Sequence, residues 1–341
     1  MKSIRARFSP HPLIRGGNAQ TLAAALLPAP RPAYRAERWL VELPDGDRLM
    51  LHDDCPGGWR PTDRSALLMH GLGGCHGSPY LVRIAEKLNL RGVRTFRLDL
   101  RGCGAGERYA RGATHCGSWD DVRRAVLRIA ELAPNSPVEA VGFSLGGSLA
   151  LNLVGRLGAG QLGAGSPGSR ATGDARVGNL AGVMAVCPPV DLHALDESFR
   201  RGAGRLYSRY LARIMWRQIQ RRLSQMPDPP EVDTSRRPRH IRELDEQITA
   251  PFHGYRDADH YYSEASAVPY LPAIKLPTRI IAAADDPVIP VKALLRAPRS
   301  ASVDIVVANS GGHLGFYGRE PGDPDANWID WRVVEWVTRC T

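Results

Sequence analysis

Short apolar runs alternate with amphipathic stretches along most of the chain. Ser65 to Met69 is an apolar run that ends at His70-Gly71, as a buried strand ends at a loop. Val93 to Leu100, Pro137 to Phe143, Leu180 to Cys187, Thr278 to Ala284 and Val303 to Ala308 read the same way. Between them lie helical patterns. Leu81, Ile84, Ala85 and Leu88 fall on one face of Tyr80 to Leu90. Ser118 and Asp121 have capping-box spacing before a helix that runs through Val122, Val126 and Ile129. Ser144 to Leu157 and Ala326 to Thr338 complete the helical set. Near the start, Trp39 to Leu43 and Arg48 to Asp53 flank Pro44-Asp45-Gly46-Asp47, a hairpin turn.

Alternation of strand and helix implies an α/β fold with a mostly parallel central sheet and helices on both faces. Such sheets bind ligands beyond the carboxyl ends of their strands, so functional residues belong just after the apolar runs. The alternation lapses twice. Residues 155–178 are rich in Gly, Ser and Ala, which predicts a flexible surface insertion. Residues 191–271 lose the strand pattern. There Leu206, Tyr210 and Ile214 make one apolar row, and Tyr207, Leu211, Met215 and Ile219 make the row beside it. Arg205, Arg209, Arg213, Arg217 and Arg221 recur on a separate row.

Composition narrows the class only a little. The chain has 341 residues, 43% hydrophobic and 23% charged, which excludes a disordered chain or a fibrous rod. No window approaches the roughly 18 apolar residues of a membrane span. The basic start has no apolar core of a signal peptide, so a cytoplasmic protein is expected. The six cysteines form no C-x-x-C pair, which predicts buried reduced thiols rather than a zinc or redox site. The net charge is +10, but the arginines are dispersed and no nucleic-acid motif accompanies them. No nucleic-acid partner is expected.

Gly142-Phe143-Ser144-Leu145-Gly146 matches G-x-S-x-G. Chance gives such a match in roughly one chain in five of this length, so context decides. Here a β-type run precedes it and a helical segment follows, the setting of a nucleophile elbow. A serine hydroxyl needs a base, and in this arrangement acid and histidine follow in chain order. Asp285-Asp286-Pro287 and Gly311-Gly312-His313 each follow a strand. Asp286 is the preferred acid, with Asp285 as its structural neighbour. The glycines beside His313 suit a mobile loop. Met69-His70-Gly71-Leu72-Gly73-Gly74 stands where an oxyanion loop belongs, making the N–H groups of Leu72 and Leu145 the candidate donors. No metal or cofactor is called for.

Together these segments resemble the α/β-hydrolase superfamily, and more narrowly its YheT-like branch of abhydrolase-domain proteins. The resemblance runs over nearly the whole chain. It includes Asn18-Ala19-Gln20-Thr21-Leu22, His70 to Gly74, Asp99-Leu100-Arg101-Gly102-Cys103-Gly104, Gly142 to Gly147, Tyr261-Tyr262-Ser263, Asp285-Asp286-Pro287 and Gly311-Gly312-His313. It implies one α/β-hydrolase domain acting on carboxylic esters, short-chain or lipid-type, with Ser144, one Asp of the pair and His313 as triad. It also implies that residues 191–271, between the sixth and seventh strands, are a helical lid. The basic amphipathic part of that segment is a candidate peripheral contact with anionic lipid, against the plainer reading of a core-facing helix with a solvated arginine face. An acyltransferase using the same triad and a non-catalytic binding protein on this fold are the alternatives.

Two smaller patterns carry less. His115 and Asp120 have H-x-x-x-x-D spacing, but Asp120 suits the first turn of a helix. His52-Asp53-Asp54 lacks a further ligand cluster and reads as hairpin surface.

Overall fold

The structure of the chain is a computed structural model that describes residues 3–27, 33–161, 177–226, 229 and 231–339. Its strands are β1 (Ile4–Arg5), β2 (Ser9–Pro10), β3 (Glu37–Glu42), β4 (Arg48–Asp54), β5 (Ser65–Met69), β6 (Arg94–Asp99), β7 (Val138–Phe143), β8 (Leu180–Val186), β9 (Thr278–Ala283), β10 (Val303–Ala308) and β11 (Gly318–Arg319). Among the described residues these form a nine-stranded sheet in the order β1-β10-β9-β8-β7-β5-β6-β4-β3, and β2 pairs with β11 apart from it. The pairs β3–β4 and β4–β6 are antiparallel. The remaining pairs of the large sheet are parallel, so β5 to β10 release their following loops at one edge.

The helices are α1 (Gly17–Leu26), α2 (Pro79–Asn89), α3 (Trp119–Leu132), α4 (Leu145–Gly158), α5 (Leu192–Phe199), α6 (Gly202–Gln225), α7 (Ile241–Leu244), α8 (Ala250–Phe252), α9 (Ala258–Ala265), α10 (Val291–Arg296) and α11 (Trp328–Thr338). Two apolar layers sandwich the sheet. Leu67, Ala140 and Ile280 face α3 and α4 in one layer. Leu68, Val141 and Ile281 face α2 and α11 in the other. Every residue of β5 and β7 is buried, which is why those strands read as continuous apolar runs.

Several local readings change. Ser118 does cap α3 by position, but its hydroxyl makes no capping bond and instead accepts from the His115 N–H at 3.1 Å. Asp121 turns away to chelate Arg101 at 2.9 and 2.7 Å. His52 and Asp53 are not hairpin surface: β4 lies inside the sheet, between β6 and β3, and both side chains are buried. On α6, Leu206 and Tyr210 are exposed, and the buried stripe is Gly204, Ser208, Ala212 and Trp216. The five arginines of the predicted row are exposed. Cys55 is also exposed, unlike the buried Cys103 and Cys187.

The first glycines of the Gly-rich stretch finish α4 rather than leaving it. A side chain at Gly158 would meet the Ala273 carbonyl oxygen at 1.8 Å, so the helix end presses directly on the segment 268–273. The rest of that stretch, 162–176, lies outside the described residues.

Candidate active site

The turn from β7 to α4 places Ser144 at φ 50° and ψ −115°, outside the helical and extended regions. Glycines make this turn possible. A Cβ on Gly146 would lie 2.7 Å from the His70 carbonyl oxygen and 2.8 Å from that of Met69. A Cβ on Gly142 would meet Gly146 at 2.2 Å. The serine hydroxyl therefore stands at the amino end of α4, at the sheet edge where the other loops emerge.

The loop after β10 brings His313 to it. His313 Nε2 lies 3.0 Å from Ser144 Oγ, and His313 Nδ1 lies 2.9 Å from Asp286 Oδ2. The other Asp286 oxygen accepts the N–H groups of Val288 at 2.8 Å and Ile289 at 2.9 Å. These bonds fix the carboxylate and leave one oxygen for the imidazole. Asp285 faces elsewhere: it accepts from the Ser310 hydroxyl at 2.8 Å and from the Gly312 N–H at 2.9 Å.

The loop around His313 is pinned rather than mobile. Thr21 Oγ1 accepts the His313 N–H at 2.8 Å. Gln20, fully buried, accepts from the Tyr317 N–H at 2.7 Å and donates to the carbonyls of Tyr317 and Ile14 at 2.9 and 2.6 Å. The glycines allow close approach. A Cβ on Gly312 would sit 2.2 Å from the Gly17 carbonyl oxygen. The segment Asn18 to Leu22 thus acts from α1 on a loop some 290 residues later in the chain. Its pattern in the sequence was visible, but not what it touches.

The loop after β5 runs beside the serine. A Cβ on Gly71 would lie 3.1 Å from Ser144 Cβ. Among the described residues, the N–H groups of Leu72 and Leu145 donate to no protein acceptor. Three side chains to which the sequence reading gave no role hold this loop. His70 Nδ1 donates to the Gly71 carbonyl at 2.7 Å, and its Nε2 accepts the Leu100 N–H at 3.1 Å. Burial keeps this imidazole below its ordinary pKa, and its two hydrogen bonds fit a single tautomer. Tyr80 Oη accepts the Gly71 N–H at 3.0 Å, and burial pushes its phenol up to about 12. Asp99 accepts the His76 N–H at 2.6 Å.

Asp99 also accepts from the rings of His52 and His76, both at 2.9 Å, and from the Ala105 N–H at 2.8 Å. Burial alone would raise its carboxyl, but the hydrogen bonds from His52 and His76 hold it well below the usual carboxylate range. A Cβ on Gly104 would meet this carboxylate at 2.2 Å, which accounts for the glycine at that position. His52, His76 and Asp99 could offer three ligands to a metal, as could Cys187, Asp286 and His313. In both groups the donor atoms already bond within the protein. His115 is drawn elsewhere, its ring 4.0 Å from that of His253, and Asp120 pairs with Arg123 at 2.5 Å.

Helix α6 crosses above the Gly-rich loop. Ile214 Cγ2 would be 3.4 Å from a Cβ on Gly73, Gln218 donates to the Gly102 carbonyl at 3.1 Å, and Tyr207 donates to Asn18 at 2.9 Å. Beneath the helix lies a small cleft of about 70 Å³, partly open to solvent and lined in part by Leu72 and Gly73.

A parallel sheet with a serine on a strained strand-helix turn, and an acid and a histidine on the next loops, is the architecture of an α/β hydrolase. The family model described as "Alpha/beta hydrolase family" matches residues 66–326. The chain is 30% identical to "Putative esterase YheT" of Escherichia coli (strain K12) over 87% of its length and 83% of that protein. It is 26% identical to "Phospholipase ABHD3" of Homo sapiens over 88% of its length and 71% of that protein. Among solved structures, 2,6-dihydroxy-pseudo-oxynicotine hydrolase superposes with a TM-score of 0.57 at 18% identity, covering 94% of this chain and 72% of that one. The chain belongs to the α/β-hydrolase family, in its YheT-like branch of esterases. Among the described residues no helix is long and apolar enough to cross a membrane.

Proposed function

We propose that this protein hydrolyses carboxylic esters through an acyl-enzyme on Ser144. The observation that carries the reading is the continuous hydrogen-bonded chain from Ser144 Oγ through His313 at 3.0 Å to Asp286 at 2.9 Å. Ser144 Oγ attacks the ester carbonyl and His313 Nε2 takes its proton. Asp286 holds the ring and stabilises the imidazolium. The N–H groups of Leu72 and Leu145 receive the oxyanion. His313 then protonates the departing alcohol, activates a water that attacks the acyl carbonyl, and returns the proton to Ser144. The relatives named esterase and phospholipase support an ester as substrate.

Within this reading residues 191–271 form the lid. Helix α6 roofs the cleft and would exclude water from the acyl pocket. Its exposed arginines, with Leu206 and Tyr210 beside them, give a basic and partly apolar outer face suited to anionic lipid. Co-sedimentation with anionic vesicles at low salt tests that contact, and absence of binding refutes it.

The test of the central reading is hydrolysis of p-nitrophenyl esters from acetate to palmitate, with Ser144→Ala beside the wild type. Turnover is expected in the wild type and lost in the variant. Equal turnover in the variant would remove Ser144 as the nucleophile.

A further inference from the structure

The cleft under α6 carries polar groups that ester cleavage does not use. Arg222, on the inner side of α6, is only 5% exposed. Its Nη2 donates to the carbonyls of Ala110 at 3.0 Å, Arg111 at 3.2 Å and Gly112. Its Nε is buried and has no acceptor among the described residues. Among the described residues no carboxylate pairs with it. The nearest acids are committed: Glu107 to Arg221 at 2.8 Å and Asp47 to Arg101 at 2.8 Å. Burial lowers the pKa of this guanidinium, as expected of a cation taken out of water.

Thr114 adds a second, independent observation. Its hydroxyl is buried without a partner among the described residues, and the residue lines the same cleft as Arg222. Buried polar atoms are nearly always paired, so two unpaired ones around one space mark a place for a ligand. The other walls include Met215, Ile219, Leu223 and Phe252, which suit an acyl or alkyl chain. Gly102 makes room for the cation, because a Cβ there would lie 2.5 Å from Arg222 Cζ.

We propose that this cleft binds an anionic group, carboxylate or phosphate, carried by the ester, with Arg222 as the recognising cation and Thr114 as a further donor. The proposal rests on the ester-hydrolase reading above and narrows it to anionic esters. Leu72 and Gly73, which line the cleft, belong to the loop that runs beside Ser144, so the cleft adjoins the nucleophile. A guanidinium that keeps free donors offers the charge-assisted bonds such a group needs.

Two substrate pairs locate the charge. p-Nitrophenyl hemiglutarate against p-nitrophenyl butyrate places a carboxylate on the acyl side. Monobutyrylglycerol phosphate against monobutyrylglycerol places a phosphate on the alcohol side. The wild type is expected to prefer the charged member of one pair by roughly tenfold or more in kcat/KM. Arg222→Met is expected to bring that ratio close to one. Because Arg222 also ties α6 to residues 110–112, Thr114→Val serves as a second variant. It breaks no protein hydrogen bond and is expected to lower the ratio severalfold at wild-type Tm. A wild-type ratio near one in both pairs, or a ratio unmoved by both variants, overturns the proposal. Calorimetric binding of glutarate and inorganic phosphate needs no turnover and separates the two claims. Anion binding that depends on Arg222, without esterase activity, would keep the site and defeat the ester-hydrolase reading. Turnover of uncharged esters with no anion binding would do the reverse.

Discussion

Asp285 holds the N–H of Gly312 at 2.9 Å. One residue further along both segments, Asp286 holds the imidazole of His313 at 2.9 Å. Two adjacent carboxylates thus divide the work between a loop's backbone and its side chain. Removing them should separate the effects. Asp286→Asn is expected to lower kcat by roughly 10³- to 10⁴-fold with little change in Tm, because it alters the partner of the imidazole. Asp285→Ala is expected to lower Tm and to reduce kcat by only about tenfold, because it loosens the loop. Steady-state kinetics on p-nitrophenyl butyrate with thermal melts checks both. The opposite ordering of kcat would make Asp285 the acid.

Tyr80 supports the Gly-rich loop through one bond, from the Gly71 N–H at 3.0 Å. Tyr80→Phe leaves that buried N–H without a partner, at a cost of about 1–3 kcal/mol. Chemical denaturation should show the loss. The same variant should lower kcat more than it raises KM, since the loop carries Leu72 and the oxyanion exists only after attack.

Asp245 predicts a pH dependence of stability. Its buried carboxyl is pushed up to about 7, chiefly by burial, while Thr249, Tyr262 and Arg242 oppose that and Asp196 adds to it. The folded protein therefore keeps this proton between about pH 4 and 7, where the unfolded chain releases it. The contribution of this group falls as pH rises through that window and is fully lost above about 7. Asp245→Asn, which can still accept the Tyr262 hydroxyl, is expected to raise Tm relative to wild type at pH 8 and to lose that advantage by pH 4. Melting curves across this range test it, and an advantage that grows on acidification would refute it.

The elbow predicts a steric limit. Gly146→Ala would press a methyl group against two carbonyl oxygens at 2.7 and 2.8 Å, both from the backbone of β5 and its loop. A loss of roughly 3 kcal/mol or more is expected. Gly57→Ala meets nothing within 4 Å and should stay within about 0.5 kcal/mol of wild type. Urea denaturation of the two variants gives the comparison.

The strands that fill the sheet were legible because they are buried on both faces, which leaves an unbroken apolar run such as Ser65 to Met69 or Val138 to Phe143. The loops at their carboxyl ends were legible for the same reason: apolar runs stop at or within five residues of Ser144, Asp286 and His313. Two-residue strands such as Ile4–Arg5 were not, since two residues have no period. The error at Ser118 and Asp121 has a tertiary cause. A capping box is a local option, and Arg101, 20 residues away in sequence, competes successfully for the Asp121 carboxylate.

By itself the sequence determined the layer order, the elbow, and the serine, histidine and aspartate pair that meet there, because periodicity and turn chemistry act over a few neighbours. Tertiary structure alone decided which aspartate faces the imidazole, that Gln20 and Thr21 clamp a loop at the far end of the chain, and that Arg222 stands over the cleft with no carboxylate partner among the described residues. Those are contacts between segments hundreds of residues apart or between side chains on separate elements. Their geometry exists only once the sheet has brought the elements together.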